Sequence, residues 1–263
     1  MSTQDAVLYD RQGDVVVITL NRPDNRNSMT PELFEAFEAA IDRVREDETA
    51  RCVVLTGRGR CFSSGADFKS QIQSDAGGAT LSHERSYAMY RPFLKVLDIQ
   101  IPVIGALNGH AVGGGFGLSL MCDLRIGNRA SKYGANFARL GLSSGMGISY
   151  ILPRLVGPSV ASELMLTGRL VLGDEAEAIG LVNRAVDTDE VLPVAMEMAQ
   201  AIAKNAPIAV RFMKKSLYEG LGWEVRKAAF QEAMAQAITI DTEDVKEGIS
   251  ALLEKRDPVF HGR

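Results

Sequence analysis

Two short glycine-bearing stretches carry the most specific chemical suggestion in this chain: Ser63-Ser64-Gly65-Ala66-Asp67 and Gly113-Gly114-Gly115-Phe116-Gly117. Each comes after an apolar, β-branched run and before a stretch of helical character. That order places both at the carboxyl ends of parallel strands, where α/β sheets receive ligands. Glycine lets the backbone approach a ligand closely. The first turn of a helix offers N–H groups with no intrahelical partner, at the positive end of the helix dipole. Two such amides aimed at one carbonyl oxygen would stabilise an oxyanion or enolate. The same glycines would also serve close helix packing, and spacing alone leaves both readings open.

Other chemistries find less support. The chain has no GxxxxGK[ST], and neither glycine cluster reads GxGxxG, since the sixth residue is Phe62 counted from Gly57 and Leu118 counted from Gly113. A nucleotide-cofactor oxidoreductase is therefore disfavoured. Gly141-Leu142-Ser143-Ser144-Gly145 matches GxSxG, but a nucleophile elbow needs a strand before it and an acid and then a histidine after it. The preceding ANFARL does not read as a strand, and the one later histidine is His261. His110, close before the triple glycine, is the best placed histidine, and packing beside the turn is its plainer role. His83 opens a helix and is expected to be solvated. Between Asp98 and Glu163 the only acidic residue is Asp123, expected to start a strand and pack structurally. A general base from that central segment must then be His, Tyr or Ser. Cys52, Cys61 and Cys122 form no CxxC, and with scattered histidines no metal site is expected.

The elements that must position these residues are legible in outline. Val15–Leu20, Cys52–Thr56, Pro102–Leu107 and Leu124–Ile126 read as buried strands. Thr30-Pro31-Glu32 is a helix start, an N-cap followed by proline at the first position. Leu33, Phe34, Phe37, Ala40, Ile41 and Val44 then recur at helical spacing. Gly57–Asp67 reads as a loop, residues 70–82 as a mobile stretch, and Glu84–Leu97 as a helix. After Val182 the spacing predicts helices over Leu192–Lys204, Pro207–Gly220, Val225–Ile238 and Thr242–Lys255. Strands alternating with helices imply a parallel sheet with crossover connections, an α/β fold. The expected organisation is a core over residues 1–190 and a helical region over 191–263.

Composition sets the outer bounds. The 263 residues are 46% hydrophobic and 24% charged, with formal net charge −4. That excludes whole-chain disorder and makes a phosphate-backbone binder improbable. No apolar run approaches the length of a membrane span, and the polar, acidic N-terminus is unlike a signal peptide. A soluble, cytoplasmic protein is expected.

The two glycine loops, in this order, resemble those of the crotonase (enoyl-CoA hydratase/isomerase) superfamily. The resemblance runs along nearly the whole chain: VVVITLNRPDNRNSM (15–29), CVVLTGRGRCFSSGADF (52–68), IPVIGALNGHAVGGGFGLSLMCDLRI (101–126), ANFARLGLSSGMGISYILPRLVG (135–157), ELMLTGRLVLGDEAEAIGLVNRAV (163–186) and GISALLEKRDPVF (248–260). It implies a spiral of ββα units and a helical C-terminal region that forms trimers, often dimers of trimers. It implies acyl-CoA thioesters as ligands, with coenzyme A entering as part of the substrate and no resident cofactor. By position, the amides that polarise the thioester carbonyl and stabilise its enolate are those of Ala66 and Gly114. CoA contacts carry over to Asn25 and Arg26 in the first loop and to Ser64, Ala66, Asp67 and Phe68. Lys255 and the nearby Leu252 match C-terminal positions that reach a neighbouring subunit's CoA, and a lysine beside phosphates is electrostatically sensible.

The sequence departs from this family where side chains do the chemistry. Hydratases resembling the chain use two glutamates, at the positions of Gly117 and Phe137. A subgroup of isomerases and an aromatic dehalogenase place an aspartate at Gly145, and the dehalogenase's helical histidine falls on Tyr90. Decarboxylase tyrosine or lysine positions fall on Ser70 and Ser74. The electrophilic half is thus expected to be intact and the acid/base half absent, and acid/base catalysis is typically worth 10²–10⁴-fold. Tyr87, Tyr90, His110, Asn136, Arg139, Ser143 and Ser144 are candidate replacements, each with an ordinary packing role as its alternative. Phe116 and Phe137 suit an apolar acyl pocket. The resemblance therefore implies isomerase- or lyase-type acyl-CoA chemistry in place of standard hydration, or an inert acyl-CoA binder.

Overall fold

The computed structural model describes residues 6–66 and 81–263. Asp67, Phe68, Ser70 and Ser74, with most of the stretch expected to be mobile, lie outside the described residues.

The strands in chain order are β1 (Val7–Gln12), β2 (Val15–Leu20), β3 (Cys52–Gly57), β4 (Cys61–Ser63), β5 (Val103–Leu107), β6 (His110–Val112), β7 (Leu124–Asn128), β8 (Lys132–Gly134), β9 (Val171–Leu172) and β10 (Arg184–Val186). They form a six-stranded sheet ordered β1-β2-β3-β5-β7-β10 and a four-stranded sheet ordered β4-β6-β8-β9. Each of the pairs β3/β4, β5/β6 and β7/β8 gives its first strand to the larger sheet and its second to the smaller. The chain therefore winds as a spiral of repeated ββ turns, parallel within each sheet from β3 to β7 and from β4 to β8. This is the expected α/β architecture.

The apolar runs at β2, β3 and β5 and the short segment at β7 form strands as expected, because both faces of this sheet are covered. One face packs on α1 (Pro31–Glu46) and α2 (Ser82–Leu94). Helix α1 starts at Thr30, whose side chain accepts from Leu33 N at 3.3 Å, with Pro31 in the first position. It buries Leu33, Phe37, Ala40, Ile41 and Val44, and Phe37 meets Phe93 of α2 edge-on at 5.1 Å. After α3 (Gly114–Leu120), α4 (Ile148–Val156), α5 (Pro158–Thr167) and α6 (Gly173–Ala178), helix α7 (Val191–Ala203) covers the other face. There Val191, Ala195 and Ala199 pack on Val15, Val54 and Ile104.

The remaining helices are α8 (Pro207–Tyr218), α9 (Leu221–Thr239) and α10 (Glu243–Glu254). Helix α8 buries none of its residues. It is pinned by Lys214, whose Nζ lies 2.7 Å from Asp123 Oδ2 and donates to the Ile101 carbonyl at 2.9 Å. Asp123 also accepts from Val103 N at 2.7 Å, so the lone central carboxylate is structural, as its position suggested. Ile208, Phe212, Leu217, Trp223 and Ile238 are exposed on α8 and α9. Among the described residues no helix is long and apolar enough to cross a membrane.

The short strands depart from expectation. β4 lies inside the stretch read as a loop, and β6 separates β5 from the triple glycine. The glycine loops therefore follow β4 and β6 in the smaller sheet, not β3 and β5 directly. Strands of three residues are too short to show a period, and β4 and β6 are specified by their pairing with each other.

Candidate active site

The first loop is tied down by one side chain. Asn27 Nδ2 donates to the Arg58 and Cys61 carbonyls at 3.1 and 2.8 Å, and its Oδ1 accepts from Arg22 N at 2.7 Å. Ser63 Oγ donates to the Asn27 carbonyl at 2.8 Å, and Ser64 N to the Arg26 carbonyl at 3.1 Å. Arg26 and Asn27 are both held at positive φ, +60° and +51°. Such conformations persist only where the surroundings over-determine them. Asn25, Arg26 and Ser64 are thereby brought to one place, and Asn25 Oδ1 is buried there without a hydrogen-bond partner.

Beyond Ser64 the backbones close on one another. Met29 N donates to the Gly65 carbonyl at 2.8 Å in a parallel bridge between Met29 and Ala66. In a bridge of this register the bonds belong to Met29, and the Ala66 N–H points to the opposite edge. A Cβ on Gly65 would lie 2.7 Å from Gly114 N and 2.8 Å from the Val112 carbonyl. A Cβ on Gly115 would run into the Ser63 carbonyl. These contacts are main chain against main chain, so only glycine fits. Gly113, at φ +58°, turns the chain so that Gly114 begins α3 with its amide outside the intrahelical ladder. Among the described residues neither the Ala66 nor the Gly114 amide has an acceptor.

The positions at which the resemblance led to an expectation of acids are not empty space. A Cβ on Gly117 would lie 2.5 Å from Met146 Cβ and 2.9 Å from its Cγ. A Cβ on Gly145 would lie 2.5 Å from the Tyr90 hydroxyl. Near Gly113, Asn136 Oδ1 would stand 3.6 Å and Phe137 Cζ 4.0 Å from an added Cβ. Phe116 is fully buried and Phe137 half-buried. The side chains against Gly113, Gly117 and Gly145 are thus one thioether, two aromatic rings and the carboxamides of Asn136 and Gln236.

The turn carrying Gly145 and Met146 hangs from α9. Glu232 is buried, and its carboxylate accepts from Ser144 Oγ at 2.8 Å, Gly147 N at 2.6 Å and Ser149 N at 2.9 Å. It caps the start of α4 from another helix and meets that helix's positive end. Gln236 Nε2 donates to the Ser143 carbonyl at 2.9 Å, and Thr239 Oγ1 accepts from Ser143 N at 3.2 Å. Because Gln236 gives its amide hydrogen to Ser143, its Oε1 must face Tyr90, whose hydroxyl donates to it. Burial, and secondarily the Glu232 charge, push the Tyr90 phenol well above its ordinary pKa, so it stays protonated. The missed residues, Glu232, Gln236 and Met146, left one trace in the sequence. On α9 the buried positions Val225, Ala229, Glu232, Ala233 and Gln236 share one stripe, so two polar residues stand where apolar spacing belongs.

Other candidates have structural partners. His110 Nδ1 accepts from Lys132 N at 3.0 Å, and burial, then the Lys132 charge, lowers its pKa. His83 is half-buried with its ring edge-on to Phe230 at 5.7 Å, a correction to the expected solvated residue. Tyr87 meets the same ring at 5.5 Å. Arg139 is exposed, 3.7 Å from Asp257. Ser143 follows a 3-10 turn (Phe137–Leu140), not a strand, so the elbow is absent. Lys255 is an exposed residue at the end of α10 and makes no hydrogen bond or ion pair with Asn25, Arg26 or Ser64.

Comparison with known proteins identifies the family. The chain is 39% identical to a putative enoyl-CoA hydratase of Thermus thermophilus, over 95% of this chain and 98% of that one. It is 32% identical to the 2,3-dehydroadipyl-CoA hydratase of Escherichia coli, over 98% of this chain and 99% of that one. The crystal structure of an enoyl-CoA hydratase/isomerase from Pseudoalteromonas atlantica superposes with a TM-score of 0.87 at 28% identity, covering 97% of this chain and all of that one. The family model described as enoyl-CoA hydratase/isomerase matches residues 10–263, and the chain belongs to that family, with its crotonase fold and its acyl-CoA-processing character.

Proposed function

We propose that the protein stabilises the enolate of an acyl-CoA thioester between the Ala66 and Gly114 amides, and that its chemistry is of the isomerase or lyase type. What supports this reading is the close approach of Gly65 to Gly114, together with the lack of an acceptor for the Ala66 and Gly114 amides among the described residues. Preorganised donors in a water-poor site are typically the largest catalytic contribution to such reactions. What weighs against hydration is that the groups nearest an added Cβ at Gly117 and Gly145 belong to Met146, Tyr90 and Gln236, none of them a carboxylate. The buried Glu232 carboxylate has its oxygens occupied by Ser144, Gly147 and Ser149. Proton movement then falls to a neutral side chain or to the substrate itself.

In this reading the CoA moiety lies along Asn25, Arg26, Ser64 and Ala66; Asp67 and Phe68, which the resemblance also assigns to CoA, lie outside the described residues. The unpartnered Asn25 carboxamide oxygen suits an adenine or pantetheine N–H donor. Lys255 acts on a neighbouring protomer's CoA phosphates, in a trimer or dimer of trimers formed through the exposed apolar faces of α8 and α9.

Incubation with a panel of enoyl-, β-keto- and dienoyl-CoA esters tests the proposal. Turnover of at least one ester is expected, with crotonyl-CoA hydrated far below any ester that is isomerised or cleaved. Binding of acyl-CoA at micromolar affinity with no turnover of any ester would instead favour the second reading, an acyl-CoA-binding homologue without catalysis. Rapid hydration of crotonyl-CoA would overturn the assignment to isomerase or lyase chemistry.

A further inference from the structure

The Met146 side chain is fully buried, yet its backbone sits at φ +67°, a region that L residues with side chains rarely occupy. It stands between Gly145 and Gly147. Glu232 holds both flanks, through the Ser144 hydroxyl on one side and the Gly147 amide on the other. Val225 presses on Gly147 from α9, where a Cβ would lie 2.6 Å from Val225 Cγ1. The result of this unusual turn is specific. Met146 Cβ, Cγ and Cε lie 2.5, 2.9 and 3.4 Å from the place of a side chain on residue 117. The nearest of these atoms is fixed by the Met146 backbone, so no rotation of the thioether arm clears the space.

We propose that Met146 is a specificity-determining residue: it occupies the place of a side chain at position 117, one helical turn beyond the Gly114 amide, and so keeps that wall of the acyl site apolar and closed to a water-activating acid. The proposal rests on reading Ala66 and Gly114 as the acyl-binding amides. Glycine at 117 is then half of a matched pair, and putting an acid there is useless while Met146 stays. Glu232 and Gln236 are positioning residues for this wall, since they hold the Ser143–Ser149 turn and, through Tyr90, the space beside Gly145.

The test restores acids with and without the obstruction. Gly117→Glu/Phe137→Glu is compared with the same pair carrying Met146→Gly, using crotonyl-CoA and following loss of the enoyl thioester. Hydration at least tenfold faster in the triple variant is expected, as acid/base groups typically contribute 10²–10⁴-fold when correctly placed. Equal rates in folded variants that both bind butyryl-CoA would overturn the proposal. A second measurement needs no activity: thermal melting of Gly117→Ala, Met146→Gly and their combination. The drop in Tm caused by Met146→Gly should be smaller in the Gly117→Ala background than in the native one. Strictly additive drops would show that the two residues do not compete for space, and would overturn the proposal whatever the rates. Failure of the native protein to bind butyryl-CoA by calorimetry would sink the acyl-CoA reading alone, leaving the melting comparison to judge Met146.

Discussion

At Gly65 and Gly114 the site is backbone packed on backbone, whereas from Ser143 to Ser149 it is a turn suspended from side chains of α9. The first region is fixed by strand pairing and by contacts that admit no Cβ. The second depends on a few hydrogen bonds from Glu232, Gln236 and Thr239, reaching across as many as 96 residues of sequence. A surface made of main chain persists through side-chain replacement, and one hung from side chains can be redrawn by very few. Under the proposed function, this is a physical reason for an acyl-binding pair of amides to persist while the side chains facing it change.

The sharpest way to break this comparison is at the backbone contact. Gly65→Ala forces a Cβ to 2.7 Å from Gly114 N at a residue with φ +78°. Loss of the paired donors should lower acyl-CoA turnover by at least ~10²-fold, the scale of removing a single oxyanion donor. Steady-state kinetics on any ester found to react would check it. A mild effect would mean that the two segments do not act together.

Next in size is Glu232→Gln. The amide keeps the shape but sets an NH₂ group against one of three donors. A buried mismatch of this kind costs about 1–3 kcal/mol. At about 2–4 °C per kcal/mol for a chain of this size, melting should fall by several degrees. Acyl-CoA affinity should change little, because Asn25, Ser64 and Ala66 belong to the other region. A loss of affinity as large as that from Gly65→Ala would erase the distinction between the two regions.

The smallest effect concerns pH. His110 ties β6 to β8 through a neutral acceptor nitrogen, and its pKa is lowered in the folded chain by burial and then by Lys132. Above the unfolded value of 6.5 the folded and unfolded states bind the same protons at this group. As pH falls through that value the unfolded chain takes up a proton that the folded one resists, so stability declines from there down to the folded pKa. Denaturant melts at pH 7.5 and 5.5 should show this decline, and His110→Gln, which keeps an acceptor that does not titrate, should reduce it. An unchanged pH difference in the variant would place the titrating group elsewhere.

The same contrast separates what could be read in the sequence from what could not. β2, β3 and β5 announce themselves because burial on both faces demands nearly unbroken apolar runs, and α1 announces itself through Thr30-Pro31 and a clean apolar period. β4 and β6 do not, since three residues carry no period and their pairing is long-range. Gly65 and Gly114 were legible because close backbone approach restricts a position to glycine, which is visible as a residue type. Glycine at 117 and 145 looked like simple loss. Tyr90 stands out in the sequence only as a candidate proton-transfer group, and Met146 not at all; their packing against Gly145 and Gly117 becomes visible only once α9 and α2 are placed in space. Glu232 is nearly silent in the sequence because it lies outside the acid-poor central segment, and the turn it supports is reached from a helix 83–88 positions further on.

In the proposed function the donor at position 66 belongs to the peptide group and not to the alanine methyl, and that has an evolutionary corollary. Almost every replacement there hands the same N–H to the next generation, so drift can rewrite the letter without touching the hydrogen. Proline alone deletes it, and alanine and proline codons differ in their first base only. A lineage abandoning this chemistry has a one-nucleotide exit that an inventory of functional side chains would pass over.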